Sequence, residues 1–146
     1  MDIPFSRWYS VTQRRRSRRQ FNPHRPIDSD SLTALERVCR EFTPYPHARA
    51  CLVSALTEGI FRGIIGGYGK VSGAPAFIAF IGDMRASSVQ EEVGYTGEGI
   101  ILEATALGLN TCWVAPSGLR SVRSMTPSCR AASRGLSASS AAATRG

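Results

Sequence analysis

Apolar positions along the chain fall into two rhythms. Phe5, Trp8, Tyr9 and Val11 recur every three to four residues, which predicts a short amphipathic helix over residues 4–12. Leu32, Leu35, Val38, Cys39 and Phe42 repeat at the same spacing. Candidate N-caps at residues 28–31 precede them, so a second helix is expected over 30–42. A third pattern begins at Ser87 or Ser88 and runs to about Leu107, with Gly108 as a natural stop. Its second half is apolar over much of its circumference, which places it in the core or at a subunit interface. Between these lie short continuous apolar runs. Residues 50–56 and 75–81 predict buried strands, the second apolar enough to be covered on both faces. Residues 109–115 predict a further strand. A short helix is expected over 58–65, and the stretch 22–26, with prolines at 23 and 26, reads as an extended loop.

The patterning stops at Ala115. Residues 116–146 hold eight Ser, six Ala and five Arg, and lack Phe, Trp, Tyr, Ile, Asp and Glu. Such a segment offers little apolar surface to offset the entropy of ordering, so the reading is a domain over 1–115 and a disordered, low-complexity tail over 116–146. The abruptness of the change points to a truncated or frameshifted end.

At 146 residues the chain has the length of one domain. No apolar run reaches the roughly 18–20 residues of a membrane span, and the N-terminus has no signal-peptide profile, which points to the cytoplasm. The formal charge of +7 is unevenly spread: residues 1–27 carry +6, residues 28–115 carry −4, and residues 116–146 carry +5. The acidic body argues against a nucleic-acid surface, as does the absence of finger or helix-turn-helix spacing. The four cysteines show no CxxC pair, so no metal site is expected and reduced thiols are the default.

Three constellations could carry chemistry. Arg14–Arg19 puts five guanidinium groups into six residues, with Ser17 among them. Such a run is either a solvated face or a cradle for an anion, because the guanidinium fork matches phosphate oxygens. Gly94-Tyr95-Thr96-Gly97-Glu98-Gly99 has GxxGxG spacing inside a helical pattern, with no strand immediately before it. It therefore fails the dinucleotide fingerprint and reads as close packing. Residues 107–115 carry a Trp out of the core on a strand, either as packing or as a wall for a flat ligand.

Taken together, Arg15-Arg16-Ser17-Arg18-Arg19-Gln20-Phe21 with Pro26-Ile27, Ser72-Gly73-Ala74-Pro75-Ala76-Phe77-Ile78, and Gly94 through Val114 resemble the FMN-dependent nitroreductase family, in its thermophile-type branch. The resemblance covers roughly residues 8–115. It implies an α+β fold with a mostly antiparallel sheet flanked by helices, incomplete at the C-terminus. It also implies a homodimer packed through the helix near 88–107. By position, Arg15, Arg16 and Ser17 match the phosphate-holding motif, and Arg19 the basic residue at the flavin pyrimidine edge. Trp113, Val114 and Ala115 match the segment that lines the ring and offers a backbone donor. The implied activity moves electrons from NAD(P)H through FMN to nitro, quinone or similar small acceptors, with no catalytic side chain singled out. The sequence departs from the family at residues 43–48, where a polar flavin-contacting loop is expected, and at Pro116, where the family has Gly. The alternatives are a noncatalytic dimeric remnant of the fold and a basic nucleic-acid-binding protein.

Overall fold

The computed structural model of the protein describes residues 2–54, 71–114 and 141–145. Three helices and four strands are formed there. Helix α1 spans Phe5–Thr12, α2 Ser29–Glu41 and α3 Val89–Ala106. Strand β1 spans Ala48–Val53, β2 Ala76–Gly82, β3 Asn110–Val114 and β4 Ala141–Arg145. The strands form one sheet in the order β1-β2-β4-β3, and every pairing is antiparallel.

The helices arise where the periodicity places them. Asp28 caps α2, its side chain accepting a hydrogen bond from the Ser31 backbone N–H at 2.8 Å. Leu35, Val38 and Cys39 then turn one face of α2 into the core. At α3 the expected serine cap is not made. The Ser88 hydroxyl instead donates to Glu92 Oε1 at 2.7 Å. Gly108, at φ +79, terminates that helix in the left-handed region that glycine enters most easily.

All seven residues of β2 are buried, so the expectation of a strand covered on both faces holds. Ala76, Ile78 and Phe80 face the helices. There they join Trp8, Leu35, Phe42, Ile100 and Ala104 in the main core cluster. Each fully buried Phe or Ile contributes about 1.5–3 kcal/mol relative to exposure. Helix α3 packs on β1, β2 and β3 and also touches α1 and α2, which makes it the central helix of the chain. Its apolar residues Ile100, Ile101 and Ala104 are completely enclosed by this chain's own core. No second subunit is needed to account for them.

The glycines of α3 bear out the close-packing reading at two of three positions. A Cβ on Gly97 would collide with the Trp113 ring and lie 3.3 Å from Phe80, and one on Gly99 would lie 2.5 Å from Phe42. Gly94 has open space around it.

Three expectations need correction. Residues 22–26 turn back on themselves: the Asn22 carbonyl accepts from Arg25 N, and its side chain accepts from His24 N, so the asparagine folds what the prolines alone suggested was extended. Ala141–Arg145, expected to be disordered, lie as β4 between β2 and β3. Backbone hydrogen bonding on both sides forms that strand where composition gives no strand signal. The expectation of four reduced thiols fails at Cys51, which is disulfide-bonded, whereas Cys39 and Cys112 are free and buried. The helix expected over 58–65 lies outside the described residues, as does the rest of the segment 116–140.

Candidate functional site

The arginine-rich head segment leaves α1 and runs along the end of the sheet at which β2 and β3 begin. Ser17 bridges Thr111 of β3, and Gln20 bridges Ser72, just ahead of β2, both in parallel. Arg18 N donates to the Thr111 carbonyl at 3.0 Å, Ser72 N to the Arg19 carbonyl at 2.9 Å, and Phe21 N to the Ser72 carbonyl at 3.0 Å. Gly73, at φ +70, makes this approach feasible, since a Cβ there would strike the Phe21 carbonyl oxygen. Three segments distant in sequence are thus pinned together by main-chain bonds, with the backbone of the head segment at one end of the sheet.

Their side chains do different things. Arg15 is half-buried, with its Nε 3.6 Å from Glu98 Oε1 on α3. Its Nη1 is buried and makes no hydrogen bond among the described residues. Arg16 turns back on its own segment, Nη1 donating to the Gln13 and Arg15 carbonyls at 2.6 and 2.8 Å. The Ser17 hydroxyl and the guanidinium groups of Arg18 and Arg19 have no partner among the described residues. An unpaired buried N–H donor costs free energy unless something accepts from it. Arg15 Nη1 therefore suits an anion held at this segment, with the Arg18 and Arg19 charges close in the chain.

Trp113 enters from the sheet side. Its indole Nε1 donates to Glu98 Oε2 at 3.0 Å, and its ring lies 5.1 Å from Phe80, tilted by 36°. The indole is committed to α3, so what this residue can offer a ligand is main chain. Strand β3 is at the sheet edge. The Thr111 carbonyl points outward to Arg18, and alternation turns the Trp113 N–H to that same side. Val114 is half-buried at the end of β3, and Ala115 lies outside the described residues. Ser17 and Arg18 thus lie beside Thr111 of β3 and Arg19 beside Ser72, while Glu98 of α3 joins Arg15 to Trp113.

The residue that sequence reasoning missed is Glu98. It binds Arg15 and Trp113 together, yet it looked like one more position in a glycine-rich stretch. A second glutamate of α3 does similar work elsewhere. Glu103, buried, accepts from Trp8 Nε1 at 2.8 Å and pairs with Arg7 at 3.1 Å, tying α1 to α3. A third, Glu92, accepts from the His47 backbone N–H at 3.1 Å, lies 3.0 Å from His47 Nδ1 and also holds Ser88. Hydrogen bonds from His47 and Ser88 hold its carboxyl below the usual carboxylate range. Burial pushes the Cys39 thiol up to about 12, which removes it as a nucleophile. Among the described residues no group of three or more His, Cys, Asp or Glu could hold a metal ion. A separate cleft of about 480 Å³ opens between the start of α1 and the end of α2, lined by Ile3, Phe5, Phe42 and Pro44 with Asp2 and Glu41. It shares no residue with the head segment.

An antiparallel sheet packed by helices, with a basic segment clamped across its end and a glycine-lined central helix, is the α+β architecture of the nitroreductase fold. The chain belongs to the nitroreductase family described as "Putative TM nitroreductase", whose model matches residues 8–128. That match continues past Ala115, where the change in composition sets a boundary. Solved structures agree in fold. An FMN-dependent nitroreductase from Clostridium difficile R20291 is 18% identical, with 94% of this chain covering 89% of that one at a TM-score of 0.65. A nitroreductase with bound FMN from Bacteroides fragilis is 16% identical, with coverage of 94% and 87% and a TM-score of 0.61. An iodotyrosine deiodinase bound to FMN and 3-iodo-L-tyrosine is 15% identical, with coverage of 94% and 88% and a TM-score of 0.64. No curated protein matches the sequence. Among the described residues no helix is long and apolar enough to cross a membrane.

Proposed function

We propose that the protein is an FMN-dependent oxidoreductase that takes electrons from NAD(P)H and passes them to a nitro, quinone or similar small acceptor. The observation that carries this reading is the buried, unpartnered Arg15 Nη1 at the head of a cluster of arginines. The donor set fits a phosphate monoester: Arg15 through Nη1, Ser17 through a hydroxyl without a partner among the described residues, and Arg18 as a nearby charge. Arg19 is assigned to the flavin pyrimidine edge, where a guanidinium favours the negative charge that a reduced ring carries. The outward N–H of Trp113 is assigned to the ring as a directional donor. Arg16 enters through the turn it braces.

When bound, FMN supplies two-electron transfer between donor and acceptor. The protein's own part is to hold the phosphate, orient the ring against the β3 edge and set the electrostatics around it. No side chain is assigned a proton-transfer role. The protein is further proposed to act in the cytoplasm as a homodimer through α3. With most apolar positions of that helix consumed internally, the contact falls to exposed positions such as Glu91 and Tyr95.

The test is flavin retention. Replacing Arg15 and Ser17 by Ala together removes charge-assisted hydrogen bonds worth about 1.5–3 kcal/mol each to a charged group. The two together amount to about 3–6 kcal/mol, so the FMN dissociation constant is expected to rise by about 100-fold or more. Unchanged affinity in the double variant would refute the phosphate assignment.

A further inference from the structure

Two glutamates on α3 each bind one arginine and one tryptophan, but only one of these arrangements is complete. Glu103 gives one oxygen to Arg7 and the other to Trp8 Nε1, at 3.1 and 2.8 Å, and its side chain is only 10% exposed. Glu98 gives one oxygen to Arg15 Nε and the other to Trp113 Nε1, at 3.6 and 3.0 Å, and its side chain is 45% exposed. The contact to Arg15 is long, and the buried Nη1 of the same guanidinium has no hydrogen-bond partner among the described residues. Glu98 therefore satisfies Trp113 and only partly satisfies Arg15. The unfinished half belongs to a residue of the head segment, where the Ser17 hydroxyl is also free among the described residues.

We propose that Glu98 is a counter-charge that Arg15 shares with an incoming phosphate monoester, so that anion binding at the head segment is transmitted to Trp113. The proposal rests on the reading of that segment as a phosphate site, and it names the residue that sets the strength of the site and reports its occupancy. The physical basis is competition at one guanidinium. With no anion, Glu98 divides its charge between Arg15 and the indole N–H. A dianion on Nη1 draws the guanidinium and weakens its attraction to Glu98, which leaves the carboxylate to the indole. The same carboxylate opposes the anion electrostatically, because like charges a few ångströms apart repel even when solvent screens them. Glu98 is thus a positioning residue, acting through Arg15 and Trp113.

The experiment compares the full chain with Glu98→Gln, which keeps an oxygen for the indole and removes the charge. Two readouts are taken: dissociation constants for FMN and for riboflavin, which carries the same ring without the phosphate, and tryptophan emission during titration with inorganic phosphate at constant ionic strength. In the wild type, phosphate is expected to change the emission saturably. In Glu98→Gln that change should be lost, FMN should bind about three- to tenfold more tightly, and riboflavin affinity should stay within about twofold. Trp8 keeps its bond to Glu103 in both proteins, so its signal cancels. A second variant, Arg15→Met, leaves the Glu98–Trp113 bond in place and should also lose the phosphate response.

Equal shifts for FMN and riboflavin would reveal a merely structural role and overturn the proposal. A phosphate response that survives in Glu98→Gln or in Arg15→Met would do the same. The outcomes separate from those of the flavin reading. If the wild type binds no flavin but shows the phosphate response and loses it in both variants, the coupling stands and the flavin reading falls. If both proteins bind flavin with the same FMN-to-riboflavin ratio, the coupling falls and the flavin reading stands.

Discussion

Gly97→Ala and Gly94→Ala make the same substitution one turn apart on α3, and the structure assigns them opposite signs. In a helix interior, Gly to Ala gains about 1 kcal/mol from backbone entropy and propensity alone. At Gly94 nothing lies within 4 Å of the position a methyl would take, so Gly94→Ala should keep most of that gain, about 0.5–1 kcal/mol. At Gly97 the methyl would collide with the Trp113 ring, lie 2.8 Å from its Cζ2 and 3.3 Å from Phe80. The ring cannot easily swing away. Its Nε1 is bound to Glu98 at 3.0 Å and its face is packed against Phe80. Overpacking of this kind costs about 1–3 kcal/mol, and the clash is at its severe end, so the net effect should be a loss of about 1–2 kcal/mol. Urea unfolding followed by far-ultraviolet circular dichroism measures both variants, with equal m-values as the control for two-state behaviour. The midpoints should move in opposite directions, with stabilities that differ by about 2–3 kcal/mol. Tryptophan emission should change only in Gly97→Ala. Equal midpoints for the two variants would refute the placement of Trp113 against α3.

Two further predictions test the polar bonds of the helices. Trp8→Phe keeps the aromatic packing on Phe42 but leaves Glu103 Oε2 without its indole donor, so it should cost about 1–3 kcal/mol in the same urea assay; an unchanged midpoint would remove that bond from the account. For pH, hydrogen bonds from Arg85 hold the Asp83 carboxyl at about 2, and those from His47 and Ser88 hold Glu92 below its ordinary value. Both folded-state values lie below the unfolded ones of about 3.9–4.3, so their stabilisation is full above that range and is lost as pH falls through the folded values toward about 2. Asp83→Asn and Glu92→Gln should each flatten the decline of the urea midpoint on acidification, and a decline identical to the wild type in both would contradict these bonds.

What could be read from the sequence was local. Leu35, Val38 and Cys39 announce α2 because a helix brings residues three and four apart onto one face. Phe77 through Ile81 announce β2 because an uninterrupted apolar run needs cover on both sides. Gly97 and Gly99 were legible as close-approach positions, although the rings they admit, Trp113 and Phe42, were not. The head segment was legible as an anion candidate from its charge density.

The rest depends on contacts that pattern does not encode. Ala141–Ala143 have no strand propensity, and their place in the sheet comes from backbone bonds to β2 and β3, which are far away in sequence. Glu98 and Arg15 are separated by most of the structured chain, so no spacing rule pairs them. The apolarity of α3 was compatible with a core helix and with an interface helix, and only the packing of Ile100, Ile101 and Ala104 distinguishes the two.

The central claim is that the arginine-rich head and the β3 edge form an FMN site. The most direct test is the visible absorption spectrum of the purified full chain, followed by identification of any chromophore released on denaturation and by titration with added FMN. The account predicts a yellow protein, or one that becomes so on adding FMN, holding about one FMN per chain and losing it when Arg15 and Ser17 are replaced. A colourless protein that takes up no added FMN would contradict it.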